Sequence, residues 1–167
     1  MEGTVILDPG HGGASNNAVS FSGVLEKDIA LRLGLLVRDA LAGSGVRVVM
    51  TRDADVNVGL GQRARLARKH RAALFLSLHC NGFDGKTRGT ETLIRSPDSR
   101  PFAERVQAAV VAAIRERDTG AIDRGVKTEK LEVLSPFWLG SRPACLLEVE
   151  FIVASVPEEV PFPAAVV

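Results

Sequence analysis

Two cysteines in 167 residues, Cys80 and Cys145, are too few for the disulfide framework that holds a small secreted scaffold together. No apolar run is long enough to cross a bilayer. No signal peptide is expected either: Met1-Glu2-Gly3 passes directly into Thr4-Val5-Ile6-Leu7, without a basic leader or a cleavage site. The formal net charge of +1 argues against a strongly electrostatic nucleic-acid binder. Internal repeats and low-complexity blocks are also absent. What remains is a chain of 46% hydrophobic and 25% charged residues, the balance of a soluble globular protein. Its length suits one domain with a substantial core.

Hydrophobic patterning divides that chain into alternating elements. Thr4 to Leu7 is a short apolar strand closed by Asp8-Pro9-Gly10, and the small, polar, glycine-rich segment from Gly12 to Gly23 is a loop. Ile29, Leu33, Leu36, Val37, Ala40 and Leu41 recur at helical spacing, with Gly43 and Gly45 as stop signals. Val46 to Met50 reads as a second buried strand. Gly61 to Arg71 reads as a helix with Leu60, Ala64, Ala67 and Leu66 inward. Its basic residues, Arg63, Arg65, Arg68, Lys69 and Arg71, form a solvated face, with a substrate-facing patch as the weaker alternative. Ala73 to Leu78 is a third strand, followed by His79-Cys80-Asn81-Gly82, and Thr90 to Ile94 is a fourth. Ser99 is placed to cap a long helix with Phe102, Val106, Ala109, Val110, Ala113 and Ile114 on one face. Leu131 to Leu134 suits a short strand, and Cys145 to Ile152 the last one. Strands alternating with amphipathic helices predict an α/β fold: a single domain with a mostly parallel central sheet covered by helices on both faces. The domain is expected over residues 1–154, with a proline-containing C-terminal tail over 155–167.

The chemistry gathers at strand ends, where open α/β sheets bind ligands. Of the three histidines, His70 sits in the basic helix and is expected at the surface. His11 and His79 each follow a strand and are flanked by turn formers. Two such histidines can converge on one ion, and zinc is the usual choice for imidazole-rich sites. A third ligand would come from the chain between them. Glu26, at the start of the first helix, suits that role, but a glutamate there also complements the helix dipole. Asp8 is a rival, although aspartate before Pro-Gly is commonly a turn residue. Cys80 could close a structural set, yet neighbouring side chains on a strand point to opposite faces, so it reads as a small buried filler. Two histidines and one carboxylate leave the open position of a catalytic zinc site. Hydrolysis then needs a carboxylate to carry a proton. Glu148 and Glu150 share one face of the last strand. The alternative for that pair is an edge strand with one wet face.

These pieces occur together and in order in one known family. VILDPGHGG, LEKDIALRLGLLV, GVRVVMTRDADVNVGLGQRARLA, LFLSLHCNG, SPDSRPFAERVQ, DRGVKTEKLEVL and PACLLEVEFI resemble the zinc-dependent N-acetylmuramoyl-L-alanine amidases of the class called amidase_3. These are bacterial and phage enzymes that cut peptidoglycan. The resemblance implies a phosphorylase/hydrolase-like fold with one Zn²⁺ per chain held by His11, Glu26 and His79, and Glu148 as the catalytic glutamate. It implies hydrolysis of the amide between N-acetylmuramic acid and L-alanine. Two other readings stay open: a degenerate, non-catalytic wall-binding module, and a hydrolase of another amide. Asn81 and Glu150 are candidate substrate-binding residues. The expected partner is peptidoglycan, with no nucleic acid, no membrane span and a monomeric state. The expected place of action is the bacterial cell wall, periplasmic or extracellular, reached as a phage-type endolysin or as a trimmed domain of a secreted enzyme. Four departures from the family pattern stand out. Cys80 replaces an alanine, Arg68 a common asparagine, and Glu150 a glycine, while the tail lacks Ser-Asn-Pro. Glu150 is expected beside the site, raising the pKa of Glu148 or narrowing the cleft. The segment from Ile94 to Ser99 is too short for the inhibitory helix of regulated members, so the chain is expected to be constitutively open.

Overall fold

A computed structural model of the chain describes residues 3–82 and 87–152; the tail expected over 155–167 and the boundary at Ala154 lie outside the described residues. The first strand, β1 (Thr4–Pro9), is followed by α1 (Glu26–Gly43), β2 (Arg47–Met50), α2 (Leu60–Lys69) and β3 (Leu74–Asn81). After these come β4 (Thr90–Ile94), α3 (Arg100–Arg115), β5 (Asp123–Thr128), α4 (Pro136–Leu139) and β6 (Ala144–Phe151). The strands form one six-stranded sheet in the order β2-β1-β3-β6-β4-β5, parallel except where β4 runs against β6.

From β1 the chain runs out to β2 and then returns past β1 to β3, so the two crossing helices lie on opposite faces. Leu33 and Val37 of α1 pack with Val106 and Val110 of α3 over Leu78 and Leu147. Ala64 and Ala67 of α2 pack with Leu139 of α4 over Ile6, Phe75 and Leu146 on the other face. Fully burying Ile6, Phe75 or Leu78 contributes about 1.5–3 kcal/mol each. The carboxyl ends of β1 and β3 therefore open at the point where the strand order reverses, which is where such sheets leave a crevice.

Several elements differ from the sequence reading. β3 continues to Asn81, so His79 and Cys80 lie within the strand rather than after it, because pairing with β6 extends through His79↔Glu148. β2 is an edge strand whose residues are half-buried or exposed. Leu36 and Leu60, placed inward by periodicity, are 36% and 52% exposed. On α3, Ala109 is exposed and the most buried line is Ala103, Gln107 and Val111. Ser99 does not cap α3 with its side chain; its hydroxyl instead accepts the N–H of Ala144 at 3.0 Å. Leu131 to Leu134 holds a 3₁₀ turn over Glu132–Leu134, not a strand. β5 and α4 escaped the sequence reading. β5 is a polar edge strand carrying Asp123, Arg124 and Lys127, and charge of this kind protects a sheet edge while hiding its pattern. Between β4 and α3 the chain makes the 3₁₀ turn Pro97–Ser99.

Candidate metal centre

β1 ends in a loop that holds His11 against its own conformational preference. His11 has φ 58°, in the left-handed region, which costs a non-glycine residue about 1–2 kcal/mol. Such strain persists only where surroundings over-determine the backbone, and two buried arginines do so here. Arg52 donates to the carbonyls of Pro9 (2.9 Å), Gly10 (2.7 Å) and Lys27 (2.7 Å). Arg63 donates to the carbonyls of Pro9 (2.7 Å), His11 (2.5 Å) and Val58 (2.8 Å). Beneath them Asp8, 1% exposed, accepts from Arg63 (2.9 Å), Thr51 (2.5 Å) and Ser77 (2.6 Å). Asp8 is thus the anchor of the loop rather than a ligand. Arg63 is 3% exposed, which corrects its assignment to the solvated face of α2. It follows Ala64 and Ala67 around the buried side of the helix, and that spacing is the signal that could have found it.

The glycines of the motif act mainly by making room. A Cβ on Gly10 would come within 2.3–2.6 Å of the His79 ring, and one on Gly12, at φ 127°, within 2.3 Å of the Val56 carbonyl. With Gly10 bare, the rings of His11 and His79 meet edge to face, their centroids 4.8 Å apart. Glu26, the first residue of α1 and 1% exposed, reaches between them. Its Oε1 lies 3.0 Å from His11 Nε2 and 2.9 Å from His79 Nδ1. Its Oε2 accepts the N–H of Ala18 at 3.1 Å, and Oε1 that of Cys80 at 3.3 Å. Burial by itself pushes the Glu26 carboxyl up, but the His11 and His79 imidazoles beside it outweigh that and bring its pKa down to about 2. The site therefore holds an ionised carboxylate between two imidazoles.

This donor set suits a divalent ion. One ligand atom from each of the three residues lies within 4.8 Å of the others. His11 Nε2 is buried and, despite its closeness to Glu26, has no hydrogen-bond partner among the described residues, as expected of a nitrogen aimed at an ion rather than at a neighbour. Two imidazoles and one carboxylate at bond lengths of about 2.0–2.2 Å are zinc chemistry with a position left for water or substrate. His70 closes the end of α2, half-buried and outside this group. Cys80 and Cys145 are both free and buried. Burial pushes the Cys145 thiol to about 12 and raises that of Cys80 as well, with Glu26 and Glu148 adding to the latter, so both are unreactive fillers at ordinary pH.

Glu148 pairs with His79 across the β3–β6 ladder, in the interior of the sheet. The wet edge strand considered as an alternative does not occur. Its Oε2 is buried without a hydrogen-bond partner among the described residues. Burial, then the charges of Glu26 and Glu91, raise its pKa to about 8. The second carboxylate beside it is therefore Glu91, not the expected Glu150. Glu91 faces Glu148 across the β4–β6 pair and is held ionised, against its burial, by Lys127, Arg124 and Asn81. Arg124 lies 2.6 Å and the Asn81 amide 3.0 Å from its carboxylate. A charged residue inside the apolar run Thr90 to Ile94 was the available signal for Glu91, by the same reasoning that singled out Glu148. Asn81 is thus engaged with Glu91. Glu150 accepts the N–H groups of Gly89 at 2.5 Å and Phe151 at 2.9 Å, with Arg88 at 3.8 Å, which ties the start of β4 to the end of β6. A cleft of about 400 Å³ opens over the centre, lined by His11, His79, Asn57, Leu131, Glu132 and Leu146.

These shifts predict opposite pH windows for the metal-free protein. Glu148 keeps its proton to about pH 8 in the folded state, whereas an unfolded chain loses it near 4.5. Its contribution to stability is full below 4.5 and is lost as pH rises through about 8. Glu26 is depressed from 4.5 to about 2, so its contribution is present above 4.5 and is lost as pH falls towards 2. Urea unfolding with chelator present should give lower stability at pH 8 than at pH 5.5, and Glu148→Gln should flatten that difference. An unchanged slope in the variant would assign the dependence to other groups.

Comparison with known proteins agrees with this architecture. The sequence profile of the Amidase_3 family, described as N-acetylmuramoyl-L-alanine amidase, matches residues 5–159. The chain is 33% identical over 154 residues to the N-acetylmuramoyl-L-alanine amidase LytC of Bacillus subtilis (strain 168), covering 89% of this chain and 29% of LytC. It is 38% identical over 156 residues to the endolysin of Bacillus phage SPP1, covering 91% of this chain and 56% of the endolysin. It thus spans under a third of LytC and little more than half of the endolysin. Among solved structures, the N-acetylmuramoyl-L-alanine amidase AmiC2 of Nostoc punctiforme superposes with a TM-score of 0.84 at 31% identity, covering 93% of this chain and 83% of AmiC2. With the fold, the strand-end site and the matched residues in agreement, the chain belongs to the Amidase_3 family of N-acetylmuramoyl-L-alanine amidases.

Proposed function

We propose that the chain hydrolyses the amide between the lactyl group of N-acetylmuramic acid and L-alanine in the bacterial cell wall, with one zinc ion held by His11, Glu26 and His79. The observation that carries this reading is the placement of Glu148. A buried carboxyl whose Oε2 has no hydrogen-bond partner among the described residues sits one strand away from His79, beside the group His11, Glu26 and His79. Zinc bound there supplies Lewis acidity, which polarises a carbonyl and lowers the pKa of water. Glu148, ionised, takes a proton from the attacking water at Oε2 and passes it to the alanine nitrogen as the C–N bond breaks. Glu91 sets the electrostatics on the far side of Glu148. Arg52 and Arg63 keep His11 in its left-handed conformation, so the ligand does not have to be ordered at each turnover.

Digestion of purified peptidoglycan by zinc-loaded protein tests this, with a chelated sample as control and mass spectrometry as the readout. The expected products are free stem peptides beginning with L-alanine, absent from the control. Intact sacculi in the presence of bound zinc would favour a wall-binding module. Peptides cut at another position would favour a different amide.

A further inference from the structure

A second concavity of about 860 Å³ continues from the metal cleft along the outer side of α2. Asn57 and Val58 line both. One wall is aromatic. Phe137 is 73% exposed, and its ring meets Trp138 edge to face at 4.5 Å. The indole N–H donates to Glu132, which lines the metal cleft, at 2.8 Å. The other wall is cationic, built from Arg65, Arg68 and Lys69, and no acidic residue lines the groove. The Arg65 guanidinium lies over the Trp138 ring at 4.6 Å. None of these three cations has a carboxylate partner among the described residues, whereas Lys27, Arg88 and Arg124 all do. An exposed phenylalanine and a half-buried tryptophan beside cations without carboxylate partners form a surface suited to something carrying both apolar and anionic groups.

We infer that this groove is a substrate subsite for the peptide arm of the wall, which binds its free carboxylates through Arg65, Arg68 and Lys69 and its aliphatic parts against Phe137 and Trp138. The inference rests on the proposed amidase reading. Continuity through Asn57 and Val58 lets one extended substrate occupy the cleft and the groove together, and charge complementarity selects acidic peptides over amidated ones.

Trp138 is the single tryptophan of the sequence, so its fluorescence reports on the groove without requiring turnover. Titrating the zinc-loaded chain with a tripeptide beginning L-Ala-D-Glu, carboxylates free, should change the emission saturably. The carboxamide form of the same peptide should bind about three- to tenfold more weakly. The R68Q/K69Q double variant should lose the difference between the two peptides. With muropeptide substrates, that variant should show a raised KM for the free-acid form alone and an unchanged kcat. Equal responses to free-acid and amidated peptides, no response to either, or an equal response to inorganic phosphate would overturn the inference. If the peptides bind as expected but sacculi remain intact, the hydrolytic reading fails while the subsite stands. If sacculi are cut and the peptides do not discriminate, the reverse holds.

Discussion

Glu148→Gln is expected to leave the chain folded, bind one zinc with affinity close to that of the parent, and lower the rate of peptide release by about 10²- to 10⁴-fold. Glutamine keeps the size and the polar character of the side chain but can neither accept nor deliver the proton. The residue does not belong to the ligand group, so metal affinity and turnover should separate cleanly. They are read by competition with a chromophoric chelator and by release of free amine from peptidoglycan. A variant that keeps full turnover would remove Glu148 from the proposed chemistry. One that loses zinc along with activity would make it part of the metal centre. Glutamine also removes the carboxyl that burial, with the charges of Glu26 and Glu91, raises to about 8. The metal-free variant should therefore be more stable than the parent at pH 8, and the loss of activity cannot then be put down to unfolding.

Arg63→Met carries the second large effect. It leaves Asp8 buried with its charge unpaired, and breaking one side of a buried pair costs about 3–5 kcal/mol. Thr51 and Ser77 still donate to Asp8, which places the expected loss towards the lower end. For a domain with a total stability of about 5–15 kcal/mol that is a large fraction, visible as a shift of the urea midpoint. The same substitution frees the carbonyls of His11 and Val58 and leaves that of Pro9 to Arg52 alone, so the His11 loop should relax from φ 58° towards the ordinary region and zinc affinity should fall by about 10- to 100-fold. The double variant Asp8→Asn with Arg63→Met separates the two consequences. Stability should be partly regained because the unpaired charge is gone, whereas zinc affinity should stay low because the loop has lost its clamp. Recovery of both together would mean that Arg63 acts on the site only through Asp8.

The sequence by itself determined most of the sheet-forming runs and the class of fold, and it singled out the residues of the candidate site, because these depend on local pattern. An apolar strand leading into Asp8-Pro9-Gly10-His11, a second apolar run leading into His79, and a carboxylate inside the apolar run Cys145 to Ile152 are each legible from one stretch of chain. The order of the motifs linked Glu26 to them. What only the tertiary structure decided concerns residues whose partners are distant along the chain. Spacing puts Arg63 on the side of α2 that carries Ala64 and Ala67, but its partner is named only when the fold sets it beside Asp8, 55 positions earlier. Glu91 becomes the electrostatic neighbour of Glu148 only through the antiparallel pairing of β4 with β6, which also draws Glu150 away to the backbone of Gly89. The β5 edge and the short α4 lack a periodic signal because one is polar and the other is a single turn. Local sequence states which side chains suit burial or a strand end. Which charges are paired, and therefore which of them can be buried, depends on contacts that no local pattern encodes.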